Sequence, residues 1–588
     1  MTRIDSTVES SSGASQVSLV RVATGIFLLV LATYVLSSPG RIDIIDGQAR
    51  FDVAYNWLHA GQPLLTDSWI KPWMSVPGRH QLPYSYYGAP ASVLPMPLLA
   101  LGALYDRDMG VGASQFLFSL TSPILGAAIS MLLFLFYIEL GVSVWNAFCW
   151  ALISAFATMV WPLSNSTFDN AQHAFFALCS CYLGFLSSRR NSHMLAMVGG
   201  LVASVLILYQ EYFLIVIPAL AMSTIRWTPA NRSRVESEPS NQSRLRRPIL
   251  SLRTYIHELF DFLKSALNAP GEARSSCGRF ALLSFTAVMV GLALSLWFND
   301  LRFGSLLHDG KLQFRSQRGF PMFGNPVAGF ATLLLSPGKS IFLYSPTLAI
   351  AVMGMRRLFR QQRTLALGVC SASLALVLFI SCISFAGGDW CWGPRYLVVL
   401  LPLWALAFPF VSGTIKLRKL APVIVVASFA VQLMAVSVEN QRFFFERGLK
   451  DFFWAEDPWF YFKHSALLAR VGETISLKDG PPPTAEFFNS IPAPNWYTYT
   501  ILGPNPKLPR KMSPIWMTSF KIFYLPKPWP LWMATVDPES RPINLQAWLC
   551  GLLGMVIIGL TILYPLYQSH DTKQLRPYSE VEQKATAI

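Results

Sequence analysis

"VSLVRVATGIFLLVLATYVLSSPGRIDIIDGQARFDVAYNWLHAG", residues 17–61, joins a long apolar run to a segment carrying Asp43, Asp46 and Asp52. The run from Val17 to Leu36 matches the roughly 20 residues that cross a bilayer core as a helix. It has no small-x-small cleavage site, so it reads as an uncleaved first span. Working outward, similar runs recur to the end of the chain. Of 588 residues, 53% are hydrophobic and 13% charged, against about 25% charged in soluble chains. The expected fold class is an all-α polytopic membrane protein with about 12 spans. They lie near 17–37, 113–138, 144–162, 171–187, 193–209, 212–226, 278–298, 340–355, 364–385, 395–412, 419–438 and 545–567. The run from Val93 to Tyr105 is too short and Pro-rich to span, and suits a helix lying along or dipping into the membrane.

The net charge of +15 does not indicate nucleic acid, because the basic residues cluster in short loops. That is the positive-inside pattern. With the N-terminus inside, Arg189, Arg190, "RRLFRQQR" (356–363), "KLRK" (416–419), Lys573 and Arg576 all fall on the cytoplasmic side. Residues 1–16 are polar, Ser-rich and expected to be disordered. A transmembrane module is expected over 17–438, with a basic cytoplasmic loop at 227–277. Outer loops are expected at 38–112 and 299–339, an aromatic outer cap at 439–544, a last span at 545–567 and a cytoplasmic tail at 568–588. The polar mass able to carry chemistry is therefore placed on the outer face. The eight cysteines show no zinc spacing, and most lie inside apolar runs, where packing is their usual role.

Asp46 opens a stretch with apolar residues at Ala49, Phe51, Val53, Ala54, Trp57 and Leu58, a spacing that predicts a helix. At that position an aspartate commonly serves as an N-cap. The order Asp46, Arg50, Phe51, Gly61 also resembles the first outer loop of GT-C glycosyltransferases, which use polyprenyl-phosphate sugars and include aminoarabinose transferases and protein O-mannosyltransferases. The resemblance gives Asp46 the role of catalytic carboxylate and Arg50 a place in the substrate site. "PGRHQLPYSYYGAPASVLPMPLLALGALY" (77–105) is similar to the family's Tyr-Ser-Lys-Tyr-Gly-Pro-Gly stretch, matching at Tyr84, Ser85, Tyr87 and Gly88. Tyr86 stands where relatives carry a lysine near the donor phosphate, so Arg395, Arg79 and Lys71 are the substitute cations.

"WPLSNSTFDNAQHAFFAL" (161–178) is similar to the family's second outer loop, and the resemblance implies Asp169 as a second catalytic carboxylate and His173 as a substrate-site residue, four apart on one helix face. "FNDLRFGSLLHDGKLQFR" (298–315) and "LLLSPGKSIFLYSP" (333–346) match segments of related bacterial sequences. "GGDWCWGPRYL" (387–397) is similar to their Gly-Asp-Trp-x-x-Gly-Pro-Arg-Tyr loop, bringing in Asp389, Trp390 and Arg395. An arginine at the membrane edge suits a lipid phosphate by bidentate hydrogen bonding. Glu211, between two short apolar runs, is expected to border a cavity. "DRD" at 106–108 is read as a solvated loop, and "NST" at 165–167 lies too close to the membrane for a sequon.

The resemblance implies sugar transfer from a polyprenyl-phosphate donor to an acceptor hydroxyl of a glycan, lipid or protein, with inversion and without metal or other cofactor. It implies a bacterial inner membrane with both termini cytoplasmic. The competing reading is a multi-spanning transporter or flippase of envelope glycoconjugates. That reading calls for mid-span charges and two related halves, of which the sequence gives little sign.

Overall fold

The computed structural model describes residues 19–67, 70–106, 112–226, 272–319, 321–388, 390–411, 415–448, 457–479, 526–528 and 545–574. The expected disordered N-terminus, most of the cytoplasmic loop and cap, Arg107, Asp108 and Asp389 lie outside them. What is described is largely helical. Helix α1 (Leu19–Ser37) is followed by α2 (Ile45–Ala60), a two-stranded antiparallel ribbon of β1 (Ser75–Pro77) and β2 (Pro83–Ser85), and α3 (Met96–Ala103). Then come α4 (Thr121–Glu139), α5 (Val144–Phe156), α6 (Asn170–Arg190), α7 (His193–Tyr209) and α8 (Glu272–Phe303). The later helices are α9 (Lys311–Arg318), α10 (Pro326–Leu334), α11 (Arg363–Cys382), α12 (Ile415–Ser437), α13 (Gln441–Gly448), α14 (Ala466–Ser476) and α15 (Leu545–Gln574).

Among the described residues, five helices are long and apolar enough to cross a membrane: Leu19–Ser37, Ala113–Glu139, Arg274–Phe303, Arg363–Cys382 and Lys419–Ser437. The chain has the apolar helices of an integral membrane protein. Over 171–187 and 545–567 the helices Asn170–Arg190 and Leu545–Gln574 are continuous but do not meet that apolar criterion among the described residues, and the remaining expected spans are shorter or broken. The run at 212–226 divides into Glu211–Ile215, Ile217–Ala221 and Met222–Thr224. The run at 395–412 divides into Arg395–Leu400, Leu401–Ala405 and Phe408–Phe410. Pro218, Pro402 and Pro409 sit at these breaks. A proline inside a helix removes a donor and clashes with the preceding turn, a cost that the apolar character of a run does not reveal.

The core runs continuously through α1, α4, α5, α6 and α11 and includes Tyr34, Phe134, Phe136, Leu178 and Leu376. Helix α1 packs along α15, and α7 along α8. Helices that are apolar all round pack in this way, with polar groups pushed to their ends. The loops that carry the motifs therefore gather beyond the ends of the bundle.

Candidate active site

Helix α2 begins two residues earlier than the capping pattern suggests. Ile44 is its N-cap, and Asp46 lies in the first turn. No side-chain cap bond forms at this end, so Asp46 is not an N-cap. The helix dipole favours a carboxylate there. The helix ends at Gly61, whose left-handed backbone lets its N–H donate to Trp57 O at 3.1 Å.

The three aspartates of the opening stretch have three different fates. Asp43 is buried and accepts from Thr167 N at 2.8 Å and Thr167 Oγ1 at 2.7 Å. Asp52 accepts from the backbone N–H groups of Thr66 at 2.5 Å and Asp67 at 2.9 Å. These two tie the loop together. Burial pushes the Asp52 carboxyl up to about 6, against the pull of those two N–H groups. Asp46 instead faces Arg395, whose Nη1 lies 3.3 Å from its Oδ2. The Asp46 side chain is 15% exposed and that of Arg395 11%. The pair is thus nearly shielded yet not sealed.

Arg395 begins the 3-10 turn Arg395–Leu400. Its guanidinium stacks over Phe168 at 4.1 Å and reaches the Tyr396 hydroxyl at 3.4 Å. A second ion pair lies alongside. Arg50, one helical turn after Asp46, donates to Asp169 Oδ2 at 3.0 Å and to Thr167 O at 3.2 Å. It also lies over the Tyr87 ring at 4.5 Å. Asp169 occupies the N-cap position of α6 but makes no cap bond. Its carboxylate goes to Arg50 and lies 3.6 Å from His173 Nε2. Burial opposes its ionisation, but Arg50, then His173 and Arg395, outweigh burial and hold the carboxyl below its ordinary value.

Tyr86 and Tyr87 lie tilted against one another, with ring centroids 4.6 Å apart and hydroxyls 3.3 Å apart. Burial first, and the Asp46 charge second, push both phenols up. Tyr86 is therefore close enough to Asp46 to feel its charge, but it brings no cation. Phe314 of α9 covers Tyr86 at 4.3 Å.

Of the remaining expected site residues, His173 adjoins the cluster through Asp169, and the others that are described lie apart from it. Tyr84 pairs with Val76 across the ribbon and packs on Phe303 at 6.1 Å. Arg79 pairs with Asp300 at 2.9 Å, both side chains open to solvent. Lys71 is exposed at the start of the short helix Lys71–Met74. Glu211 is ion-paired with Lys311 of α9 and accepts from Ser295 Oγ at 3.2 Å. Trp390 packs on Phe444 at 5.5 Å, and its carbonyl accepts from Gln441 Nε2 at 2.9 Å. His173 lies edge-on to Tyr209 and Phe213 at 4.6 and 5.0 Å. Asn165 is buried and donates to Ser37 Oγ at 2.7 Å, so it is no sequon acceptor. Asp106 accepts from Ala113 N at 2.9 Å and Ser114 N at 3.2 Å. Among the described residues, no three His, Cys, Asp or Glu side chains are grouped to hold a metal ion.

Asp43, Thr167 and Phe168 belong to the cluster, although sequence reasoning gave none of them a role. Asp43 had a visible signal, since it lies three residues before Asp46. Thr167 and Phe168 directly precede Asp169.

No family model and no curated protein matches the chain. Among solved structures it is similar to the apo form of the Archaeoglobus fulgidus oligosaccharyltransferase, with 13% identity, a TM-score of 0.37 and coverage of 73% of this chain and 56% of that one. It is also similar to the same enzyme in complex with zinc and sulfate, with 12% identity, a TM-score of 0.36 and coverage of 82% and 57%. The chain spans a little over half the length of these structures. They are GT-C type proteins.

Proposed function

We propose that this protein is a membrane glycosyltransferase that moves a sugar from a polyprenyl-phosphate donor to an acceptor hydroxyl, with inversion, at the outer face. The observation that carries this reading is the Asp46–Arg395 pair. It sets an uncapped carboxylate against a guanidinium brought from a distant loop, beside two tyrosines and a second buried ion pair.

Each group has a part in the chemistry. The donor's phosphate oxygens bind Arg395, which a planar guanidinium does in a two-pronged fashion. This draws Arg395 from Asp46 and frees the carboxylate. Asp46 then accepts the proton of the acceptor hydroxyl as its oxygen attacks the anomeric carbon. The bond from that carbon to the phosphate oxygen breaks on the opposite side, and its electron pair leaves with the phosphate. Arg395 meets the charge that develops there. Arg50, fixed by Asp169 and Thr167, keeps the start of α2 in place. Tyr86 and Tyr87 offer aromatic faces and hydroxyls to a sugar. The acceptor is a hydroxyl of a glycan, lipid or protein.

The test is transfer of labelled sugar from polyprenyl phosphate in membranes containing the protein, run beside a lipid-scrambling assay. The reading expects transfer that Asp46→Asn abolishes. Scrambling without transfer would identify a flippase instead.

A further inference from the structure

The chain contains a buried lysine that the proposed chemistry does not use. Lys339 lies in the turn formed by residues 336–339, between α10 and the short helix Ile341–Tyr344. It is fully buried. An ammonium there is costly unless its donors are met. Its Nζ donates to the carbonyl oxygens of Cys391 at 2.8 Å and Gly393 at 3.1 Å, and lies 3.3 Å from Cys391 Sγ. The rings of Phe444 and Tyr461 flank it at 5.1 and 5.2 Å, within cation–π range.

The turn that presents Lys339 is fixed from both sides. The Lys339 N–H donates to Ser336 Oγ at 3.0 Å, and the Gly338 N–H to Tyr461 O at 2.9 Å. Ser465 Oγ donates to Pro337 O at 2.6 Å. On the other side of the ammonium is a loop with little regular structure. Gly388 and Gly393 both have positive φ, 75° and 61°, a region open to glycine but strained for other residues. Cys391 Sγ lies 3.1 Å from Gly388 O and 3.2 Å from Gly393 O. The loop thus wraps around the ammonium, and Arg395 follows two residues after Gly393. A Cβ on Gly388 would lie 2.7 Å from Arg395 Cγ, so the loop backbone also forms a wall of the arginine's slot.

We propose that Lys339 is a positioning residue for the transfer: it holds residues 391–393 in the conformation that delivers Arg395 to Asp46, and it ties α13 and the Tyr461 segment to the site. This rests on the reading of Arg395 as the donor-phosphate group.

The test compares Lys339→Met and Arg395→Gln, singly and together, by donor and acceptor titration in the sugar-transfer assay. Lys339→Met is expected to raise the donor KM tenfold or more while leaving the acceptor KM in place. Adding it to Arg395→Gln is expected to change nothing further. Losses that multiply in the double variant, or equal shifts in both KM values, would overturn the proposal. A second readout needs no activity: maleimide labelling of Cys391 in detergent, followed by peptide mass spectrometry. Labelling is expected to rise at least fivefold in Lys339→Met at an unchanged melting midpoint. Cys391 as protected as in the wild type would overturn the proposal on its own. Increased labelling in a protein that transfers no sugar would leave Lys339's hold on the loop standing and end the glycosyltransferase reading. Should Lys339→Met fail to fold, Tyr461→Leu removes one wall around the ammonium, and the same labelling criterion applies.

Discussion

Arg395 Nη1 lies 3.3 Å from Asp46 Oδ2, across 349 residues of sequence. The carboxylate and the cation that the proposed reaction needs thus neutralise one another. A donor phosphate must compete with Asp46 for Arg395, and its binding releases the base. Donor should therefore bind before acceptor, and the carboxylate should weigh against donor binding while promoting the chemical step.

Asp46→Asn separates these two effects. Loss of a general base costs about 10²–10⁴ in rate, so kcat should fall by at least a hundredfold. The donor KM should stay level or fall, because Arg395 no longer has to leave a charged partner. Steady-state kinetics in proteoliposomes with titrated donor would show this. A raised donor KM at unchanged kcat would contradict the role given to Asp46.

Arg395→Lys keeps the charge and loses the planar fork. A lysine meets phosphate as a point charge, so the donor KM should rise roughly tenfold, equivalent to about 1.4 kcal/mol. Arg395→Gln should cost more and should also lower kcat, since the leaving phosphate then lacks its counter-charge. Side-by-side donor titrations of the two variants check the ranking.

The motifs were legible in sequence because chemistry and turn geometry restrict them. Asp46, Arg50, Asp169 and Arg395 all belong to the central cluster, and each came from a short pattern rich in Gly, Pro, Asp or aromatic residues. What stayed hidden was pairing. Asp43, Asp46 and Asp52 look alike in one dimension, and only tertiary packing assigns them Thr167, Arg395 and the backbone of Thr66 and Asp67. Arg79 and Arg395 look alike in sequence, but Arg79 pairs with Asp300 in solvent and Arg395 pairs with Asp46 where both are nearly shielded. Five of the expected spans appear as long apolar helices among the described residues, and two of the others are divided for a related reason. The runs at 212–226 and 395–412 are mostly apolar, yet Pro218, Pro402 and Pro409 fall within them. Each proline sits in the first turn of the short segment that follows a break, a position proline favours.

Asp52 gives the fold a pH dependence of known sign. Its carboxyl is raised from 3.8 to about 6 in the folded protein. A raised group contributes stability that is fully present below the unfolded value and lost as pH rises through the folded one. Between about pH 4 and pH 6 the wild type should therefore lose stability, on the order of 3 kcal/mol from this group. Asp52→Asn keeps an oxygen for the Thr66 and Asp67 N–H groups and cannot ionise. Its melting midpoint should be flatter than that of the wild type across this window. Parallel slopes for the two proteins would remove Asp52 as the cause.

The Arg50–Asp169 pair is buried on both sides, with side chains 4% and 9% exposed. Removing one partner of such a pair strands a charge and typically costs about 3–5 kcal/mol, whereas replacing both with apolar groups is often close to neutral. Arg50→Met and Asp169→Leu should each lower the melting midpoint sharply. The double variant should recover most of the loss, though not all of it, because Arg50 also donates to Thr167 O and covers Tyr87. Transfer should not recover with stability, since the first turn of α2 then keeps only the Asp43–Thr167 contacts to the second loop and loses its charged tie. Thermal melts and transfer rates on the same four proteins would separate the two contributions. A double variant that regains both would show that this pair only packs the fold and takes no part in aiming Asp46.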